Sequence, residues 1–262
     1  MRLSIVTVCY NSAATIGDTL HSVAAQTFRD FEHIVIDGAS KDNTLEVVEA
    51  ARHPRLQVHS EPDSGIYDAM NKGLFKASGD YVQFLNSDDY LASADALCAF
   101  SEAADRTDAD CIFGETAFVN ATERSHFTRF YGTKRFRPWW LRVGAMPPHP
   151  SMFVKRELML RLGGFDTSYR YAGDFDFIAR AVLREKARWH PLEKTISCFR
   201  VGGVSTGGVN SKLVLSKEMA RSLRNLGYPL PALSVQLRLP LKLAQFRRSA
   251  PETTRRFFAV SS

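Results

Sequence analysis

Apolar positions in the first third of the chain fall into short runs divided by polar breaks. "LSIVTV" (Leu3–Val8) is nearly continuous and rich in β-branched side chains. That is the pattern of a strand covered on both faces, as in a parallel sheet. "FEHIVID" (Phe31–Asp37), "LQVHS" (Leu56–Ser60) and "DYVQFLN" (Asp80–Asn86) repeat it. Between the runs, apolar residues return at helical spacing: Ile16, Leu20, Val23 and Ala24, then Leu45, Val47, Val48 and Ala51, then Ile66, Met70, Leu74 and Ala77. Asn11 or Ser12 is placed to cap the first helix and Asn43 the second. Strand and helix in strict alternation predict a doubly wound α/β layer.

The pattern then loosens. "ADALCAFSEAA" predicts a helix, "ADCIFGETAFV" a strand and Phe127–Tyr131 another strand. "RFRPWWLRVGAMPPHPSMFV" gathers proline and aromatic residues and is expected to be a long loop. "KRELMLRLGGFD" is a short helix stopped by Gly163 and Gly164. "DFDFIARAVLREKA" is a helix and "KTISCFRV" a last strand. "GGVSTGG" (Gly202–Gly208) is a joint. Two basic helical segments follow, the first broken near Gly227–Pro231 and the second interrupted at Pro240. The expected organisation is one domain over 1–206, with halves 1–90 and 91–206, and a basic helical tail over 207–262.

Charge sharpens that division. The chain of 262 residues carries a net +6, but from Ser211 onward ten Lys/Arg face only Glu218 and Glu252. The tail therefore holds +8 and the rest −2. A core without excess positive charge argues against nucleic acid as a partner, whereas the tail is suited to an anionic surface. Cys9, Cys98, Cys111 and Cys198 show no metal-type spacing, and three sit in apolar runs, as reduced thiols of a cytoplasmic protein would. The start, "MRLSIVTVCYNS", turns polar too soon for a signal peptide. No apolar run approaches the roughly 20 residues of a membrane span.

Chemistry concentrates where the four predicted strands end. Those ends carry "CYNS", "DGASKDNT", "SEPDSG" and "NSDD". Each alone suits a turn. Ligands of open parallel sheets bind outside the carboxyl ends of the strands, so four polar ends together describe a cleft. A G-x-G-x-x-G loop and a Walker loop are both absent, and "CYNSAAT" follows the first strand instead. A bound diphosphate would then need a divalent cation held by one or two carboxylates. Asp88 and Asp89 are placed for it.

"SIVTVCYN", "VIDGASKDNT", "SGIYDAMNKG" and "FLNSDD", in that order, resemble the nucleotide-sugar half of family 2 glycosyltransferases. The resemblance covers about the first two hundred residues. More narrowly, it is similar to bacterial members that build exopolysaccharide, colanic acid and O-antigen units. It implies a GT-A fold: a Rossmann-like, mixed but mostly parallel sheet flanked by helices. It further implies metal-dependent (Mg2+ or Mn2+), inverting transfer from a nucleotide sugar. A UDP-sugar is favoured as donor, with GDP or dTDP as alternatives, and the acceptor is a saccharide, free or lipid-linked.

Residue by residue, the resemblance places Val8 and Tyr10 against the base, Asp37 on base or ribose, and Asp68 in the donor pocket. Asp88 and Asp89 stand at the D-x-D position, where Asn86 replaces the usual first Asp, and the ligand is one of them or both. "GGFDTSYRYAGDFDF" resembles the segment ending in Glu-Asp, with Gly173 in place of the Glu and Asp174 as catalytic base. Asp176 is its competitor. Asp174 also suits a plain cap at the start of its helix.

Smaller features have two readings each. His149 faces the sugar cleft or is structural, and Lys72 touches a phosphate or is solvated. Trp139 and Trp140 stack on acceptor or lipid, or pack in the core. "GGVST" resembles a turn that closes over the donor. In the tail, Val235, Leu237, Leu239, Leu241, Leu243 and Phe246 lie among basic residues, a composition suited to peripheral contact with the inner face of the cell membrane. A packed basic hairpin is the alternative. The rival functions are a non-catalytic α/β module that docks on membranes or polyanions, and a nucleotidyltransferase, which would carry a Gly-rich basic loop after the first strand.

Overall fold

The computed structural model describes residues 1–119, 127–200, 208–237 and 246–247. The alternating N-terminal pattern folds as expected. Strands β1 (Leu3–Cys9), β2 (Phe31–Asp37), β3 (Leu56–Ser60) and β4 (Tyr81–Phe84) are parallel, with β1 between β2 and β4. All seven residues of β1 and of β2 are buried, which explains their unbroken apolar runs. Helices α1 (Ile16–Ala24), α2 (Thr44–Ala50) and α3 (Ile66–Lys76) connect them.

The second half makes the sheet mixed. Next come β5 (Tyr90–Leu91), α4 (Ala96–Thr107), β6 (Cys111–Val119), β7 (Phe127–Tyr131), β8 (Met152–Lys155), α5 (Arg156–Arg161), α6 (Gly173–Ala179) and β9 (Trp189–Arg200). After these follow α7 (Gly208–Asn225), α8 (Pro231–Ser234) and β10 (Phe246–Arg247). The strand order is β10-β7-β6-β8-β4-β1-β2-β3, with β9 parallel to β6 and antiparallel to β5. β8 lies inside the sequence expected to be loop. It bridges the two halves, antiparallel to both β4 and β6, with Val154 opposite Val82 and Cys111. Four residues behind a run of prolines are too few to show a period, so pairing rather than pattern makes this strand.

The same loop holds a 3-10 segment, Pro138–Val143. Two helix starts also differ from expectation. Asn11 takes a left-handed φ of 49° and accepts the Lys41 amide at 2.7 Å, and α1 starts only at Ile16. Asn43 makes no capping bond; Asp42 accepts the Thr44 amide instead at 3.1 Å.

Two cores flank the sheet. One packs α3 and α6 on one face through Val6, Ile36, Met70, Phe175 and Phe177. The other sets α4 on the opposite face through Ile5, Leu97, Phe100 and Phe153. α3 comes so close to β1 that a Cβ at Gly73 would run into Val6. The first helix beyond the joint belongs to the core, because α7 buries Met219, Ala220 and Leu223. Val235 packs against Gly144 rather than facing outward, which corrects its expected place at a lipid surface. Gly202–Thr206, Leu239, Pro240, Leu241 and Leu243 lie outside the described residues, as do the side chains of Leu237 and Phe246. Cys9, Cys111 and Cys198 are buried, and all four cysteines are free thiols.

Candidate functional site

The loops after β1, β2, β3 and β4 meet, as their polarity suggested. Asn11 takes a bond from Lys41 and gives its own amide to Ser40 Oγ at 2.8 Å. The Ser12 amide donates to Thr44 Oγ1 at 2.7 Å, and Ser87 Oγ donates to Ser12 Oγ at 2.9 Å. At Gly38 a Cβ would collide with the Asp63 carboxylate and touch the Tyr10 ring. Glycine there lets the first three loops close on one another. The result is a cleft edged by short polar side chains.

Val8 is buried near the end of β1, and the Tyr10 ring beyond it is exposed, 59% accessible. Asp37 is fully buried and organises the floor: it accepts bonds from the Ser40 amide (3.0 Å), Ser60 Oγ (2.7 Å), Ser40 Oγ and Cys9 Sγ. Asp68 accepts the Ser64 amide at 2.9 Å, and that bond holds its carboxyl below the usual range. Lys72 serves the scaffold, donating to the Pro62 carbonyl at 2.7 Å beside Glu61 and Asp68.

Asp88 and Asp89 stand in different surroundings. Asp88 is half-buried, and burial pushes its carboxyl up. Asp89 is completely buried, and burial followed by the charge of Asp88 pushes it up much further. One Asp89 oxygen accepts the Arg200 amide at 3.3 Å; the other has no hydrogen-bond partner. Arg200 ends β9 and lends its positive charge to both carboxylates while its guanidinium reaches Asp18 at 2.5 Å. Thr19 anchors the turn from beneath, donating to the Asp89 carbonyl at 2.6 Å.

These groups suit a divalent cation. Asp88 and Asp89 share the positive charge of Arg200 with Asp18, and one oxygen of the buried Asp89 has no partner, so further positive charge would be favourable beside them. Among the described residues no three His, Cys, Asp or Glu side chains cluster to enclose a metal. A cation here would therefore complete its shell with substrate phosphates and water, as Mg2+ commonly does.

Beside Tyr67 of α3, α6 carries Asp174 in its first turn. Its Oδ1 accepts the Phe175 amide at 2.7 Å and faces the Tyr67 hydroxyl at 3.4 Å. The competitor Asp176 is buried and paired with Arg180 at 2.7 Å, whereas Asp174 is half-exposed. Gly173 has a steric cause, since a Cβ there would lie 2.7 Å from the Tyr67 ring. The ring of Tyr67 fills the space of a side chain at 173. No side chain caps α6; instead Glu218 of α7 accepts the amides of Arg170, Tyr171 and Ala172 at 2.9, 2.8 and 2.9 Å. His149 stacks on Phe84 and meets Phe165 edge-on, both at 6.3 Å. Burial holds it neutral, opposed by the nearby charge of Asp174. Trp140 is buried and Trp139 is exposed.

Tyr67, Arg200, Asp18, Asp63 and Glu218 were not among the residues singled out by sequence. Arg200 did carry a signal, as a polar residue ending a strand like the other four ends. Glu218 carried none, because its partners are amides 46 to 48 residues away.

This architecture is that of the GT-A glycosyltransferases. S. aureus TarS, solved with UDP-GlcNAc, matches it with a TM-score of 0.69 at 23% identity, over 86% of this chain and 67% of that one. A mannosyltransferase from Pyrobaculum calidifontis, solved with GDP-Man and Mn2+, matches with a TM-score of 0.63 at 22% identity, over 93% and 72%. The model of the family described as Glycosyl transferase family 2 matches residues 4–161. A PGL/p-HBAD biosynthesis glycosyltransferase of Mycobacterium tuberculosis is 32% identical over 225 residues, 84% of this chain and 85% of that one. The chain belongs to glycosyl transferase family 2 and is a glycosyltransferase, so nucleotidyl transfer and non-catalytic docking give way as readings.

Proposed function

We propose that the protein moves a sugar from a nucleoside diphosphate donor, a UDP-sugar first, to a hydroxyl of a lipid-linked saccharide, with inversion, during assembly of bacterial surface polysaccharide at the inner face of the membrane. The observation that carries the catalytic part is the contrast on α6: Asp176 is buried and paired with Arg180, while Asp174 is half-exposed and accepts the Phe175 amide and the Tyr67 hydroxyl. The neighbours solved with UDP-GlcNAc and with GDP-Man support a nucleotide-sugar donor. Among the described residues no helix is long and apolar enough to cross a membrane, so contact with lipid would be peripheral.

In this reading Tyr10 stacks on the base and Val8 lines its edge. Asp37 holds the loops that reach base and ribose, and Asp68 lines the donor pocket. Asp174 takes the proton of the acceptor hydroxyl as that oxygen attacks the anomeric carbon, and the bond from that carbon to the diphosphate breaks. Asp88 would hold a divalent cation, with Asp89 beneath it adding negative charge. When bound, the cation supplies charge neutralisation for the departing diphosphate.

Transfer from a set of nucleotide sugars to lipid-linked saccharide, with and without Mn2+, tests the proposal. Asp174→Asn should lower turnover by roughly 10²–10⁴-fold, the usual contribution of a general base, with donor affinity by calorimetry unchanged. Near-normal turnover of that variant would refute the assignment of the base.

A further inference from the structure

We propose that the folded domain carries a docking surface for an anionic lipid bilayer, built from the 3-10 segment Pro138–Val143 and the turn that leads into α8. Trp139 is 49% exposed, Leu230 74% and Leu233 66%, and all three lie on these two neighbouring elements. The elements pack side by side: the Arg142 guanidinium sits 5.2 Å from the Tyr228 ring, and Gly144 abuts Val235. Residues three apart in a 3-10 helix eclipse one another, so Trp139 shares the face of Arg142 and looks toward the Tyr228 turn. Its neighbour Trp140 turns away into the core, with the two rings 78° apart.

The backbone adds an independent observation. Leu230 is held at a φ of 50°, a left-handed conformation that a branched apolar residue rarely takes. Asn or Gly would relieve it. An exposed leucine kept in a strained position points to a use for its side chain.

Charge names the occupant. Between Phe127 and Arg156 the chain has no Asp or Glu, and Arg135, Arg137 and Arg142 are exposed around Trp139. Lys134 is excluded, being paired with Glu193 at 2.9 Å. An exposed aromatic ring and leucines, with exposed Arg135, Arg137 and Arg142 on the segment that bears the ring, match the apolar–anionic boundary of a bilayer, where tryptophan settles and basic side chains meet headgroup phosphates. The loop that bears this surface ends at His149, beside the charge of Asp174. A bilayer docked there would present a lipid-borne acceptor on the catalytic side. That consequence rests on the proposed function; the surface itself does not.

Flotation of the full chain with phosphatidylcholine vesicles, with and without phosphatidylglycerol, tests the surface apart from catalysis. Trp139→Ala combined with Leu230→Asn and Leu233→Ser should weaken partition by at least about tenfold, because the buried apolar area is lost. Asn suits the left-handed site, so Leu230→Asn alone should keep or raise the melting temperature while lowering partition. Arg137→Gln and Arg142→Gln should each cost about fivefold, and only on anionic vesicles. The inference fails if wild type does not float, if these variants float as well as wild type, or if they lose affinity for single-stranded RNA but not for vesicles. Transfer to a lipid-free saccharide acceptor, measured on the same variants, separates the two readings. Activity there without flotation overturns the docking surface alone; flotation with no transfer by wild type overturns the proposed function alone.

Discussion

Gly173→Ala is the sharpest probe of how Asp174 is held. An ideal Cβ at 173 would lie 2.7 Å from Cε2 of Tyr67 and 2.8 Å from both Cδ2 and Cζ. Carbon atoms settle at about 3.5–4.0 Å, so the ring must retreat by roughly 0.7–1.3 Å. It has little room: Tyr67 is 6% exposed and packs against Phe165 with ring centres 5.7 Å apart. Overpacking of this kind costs about 1–3 kcal/mol. In a chain of this size that lowers the melting temperature by roughly 2–12 °C. The retreat also breaks the contact of the Tyr67 hydroxyl with Asp174, which at 3.4 Å is already at the limit. Differential scanning fluorimetry and single-turnover transfer are the assays, with donor affinity expected to hold while turnover falls. A smaller residue at 67 should relieve the clash, so Tyr67→Val and Gly173→Ala should couple by at least about 1 kcal/mol in a double-mutant cycle. An alanine variant with unchanged melting and turnover would show that the ring does not occupy the space, and the explanation of the glycine would fall.

Two further predictions concern support and pH. Glu218→Ala strips three amides of their acceptor at the start of α6, and should cost about 1–3 kcal/mol while reducing transfer more than donor binding; equal turnover would remove Glu218 from the support of Asp174. His33 is fully buried, bonded to Thr7 Oγ1 at 3.0 Å and stacked on His53, and burial followed by the charge of His53 pushes it down to about 3. A lowered histidine stabilises the fold above its unfolded value near 6.5 and loses that contribution as pH falls from there toward 3, by up to about 1.4 kcal/mol per pH unit. His33→Gln should flatten the fall in stability between pH 6.5 and 4 in urea titrations, and an unaltered slope would show that other groups govern it.

How legible was all this beforehand? The first half, through β4, was written in period and punctuation: buried strands give continuous runs, and their ends must be polar because they leave the sheet. The second half was not. β8 owes its existence to two neighbours, β4 and β6, distant in the chain, and no four-residue window records that. Trp139 and Trp140 are adjacent and alike in composition, yet one is core and the other surface, a distinction made by the 3-10 turn. The resemblance put Asp174 ahead of Asp176, but the pairing of Asp176 with Arg180 had no signature in the sequence.

Asn86, the departure from the D-x-D position, shows what sequence and structure supply together. The resemblance shows a carboxylate missing; the structure shows why its absence is tolerable. Asp89 already buries a whole carboxylate with one oxygen unpartnered, and Asp88 beside it is raised by burial as well. Nearby, the charge acting on both comes from Arg200, which also serves Asp18. The Asn86 side-chain oxygen is itself buried without a partner. A third carboxylate there would add a charge to a turn whose two carboxylates already share Arg200 with Asp18, and like charges in low dielectric raise one another further. A neutral amide keeps the shape of the turn and leaves the cation's attraction to Asp88 and Asp89. On this argument N-x-D-D would still hold a cation, through Asp88 and Asp89.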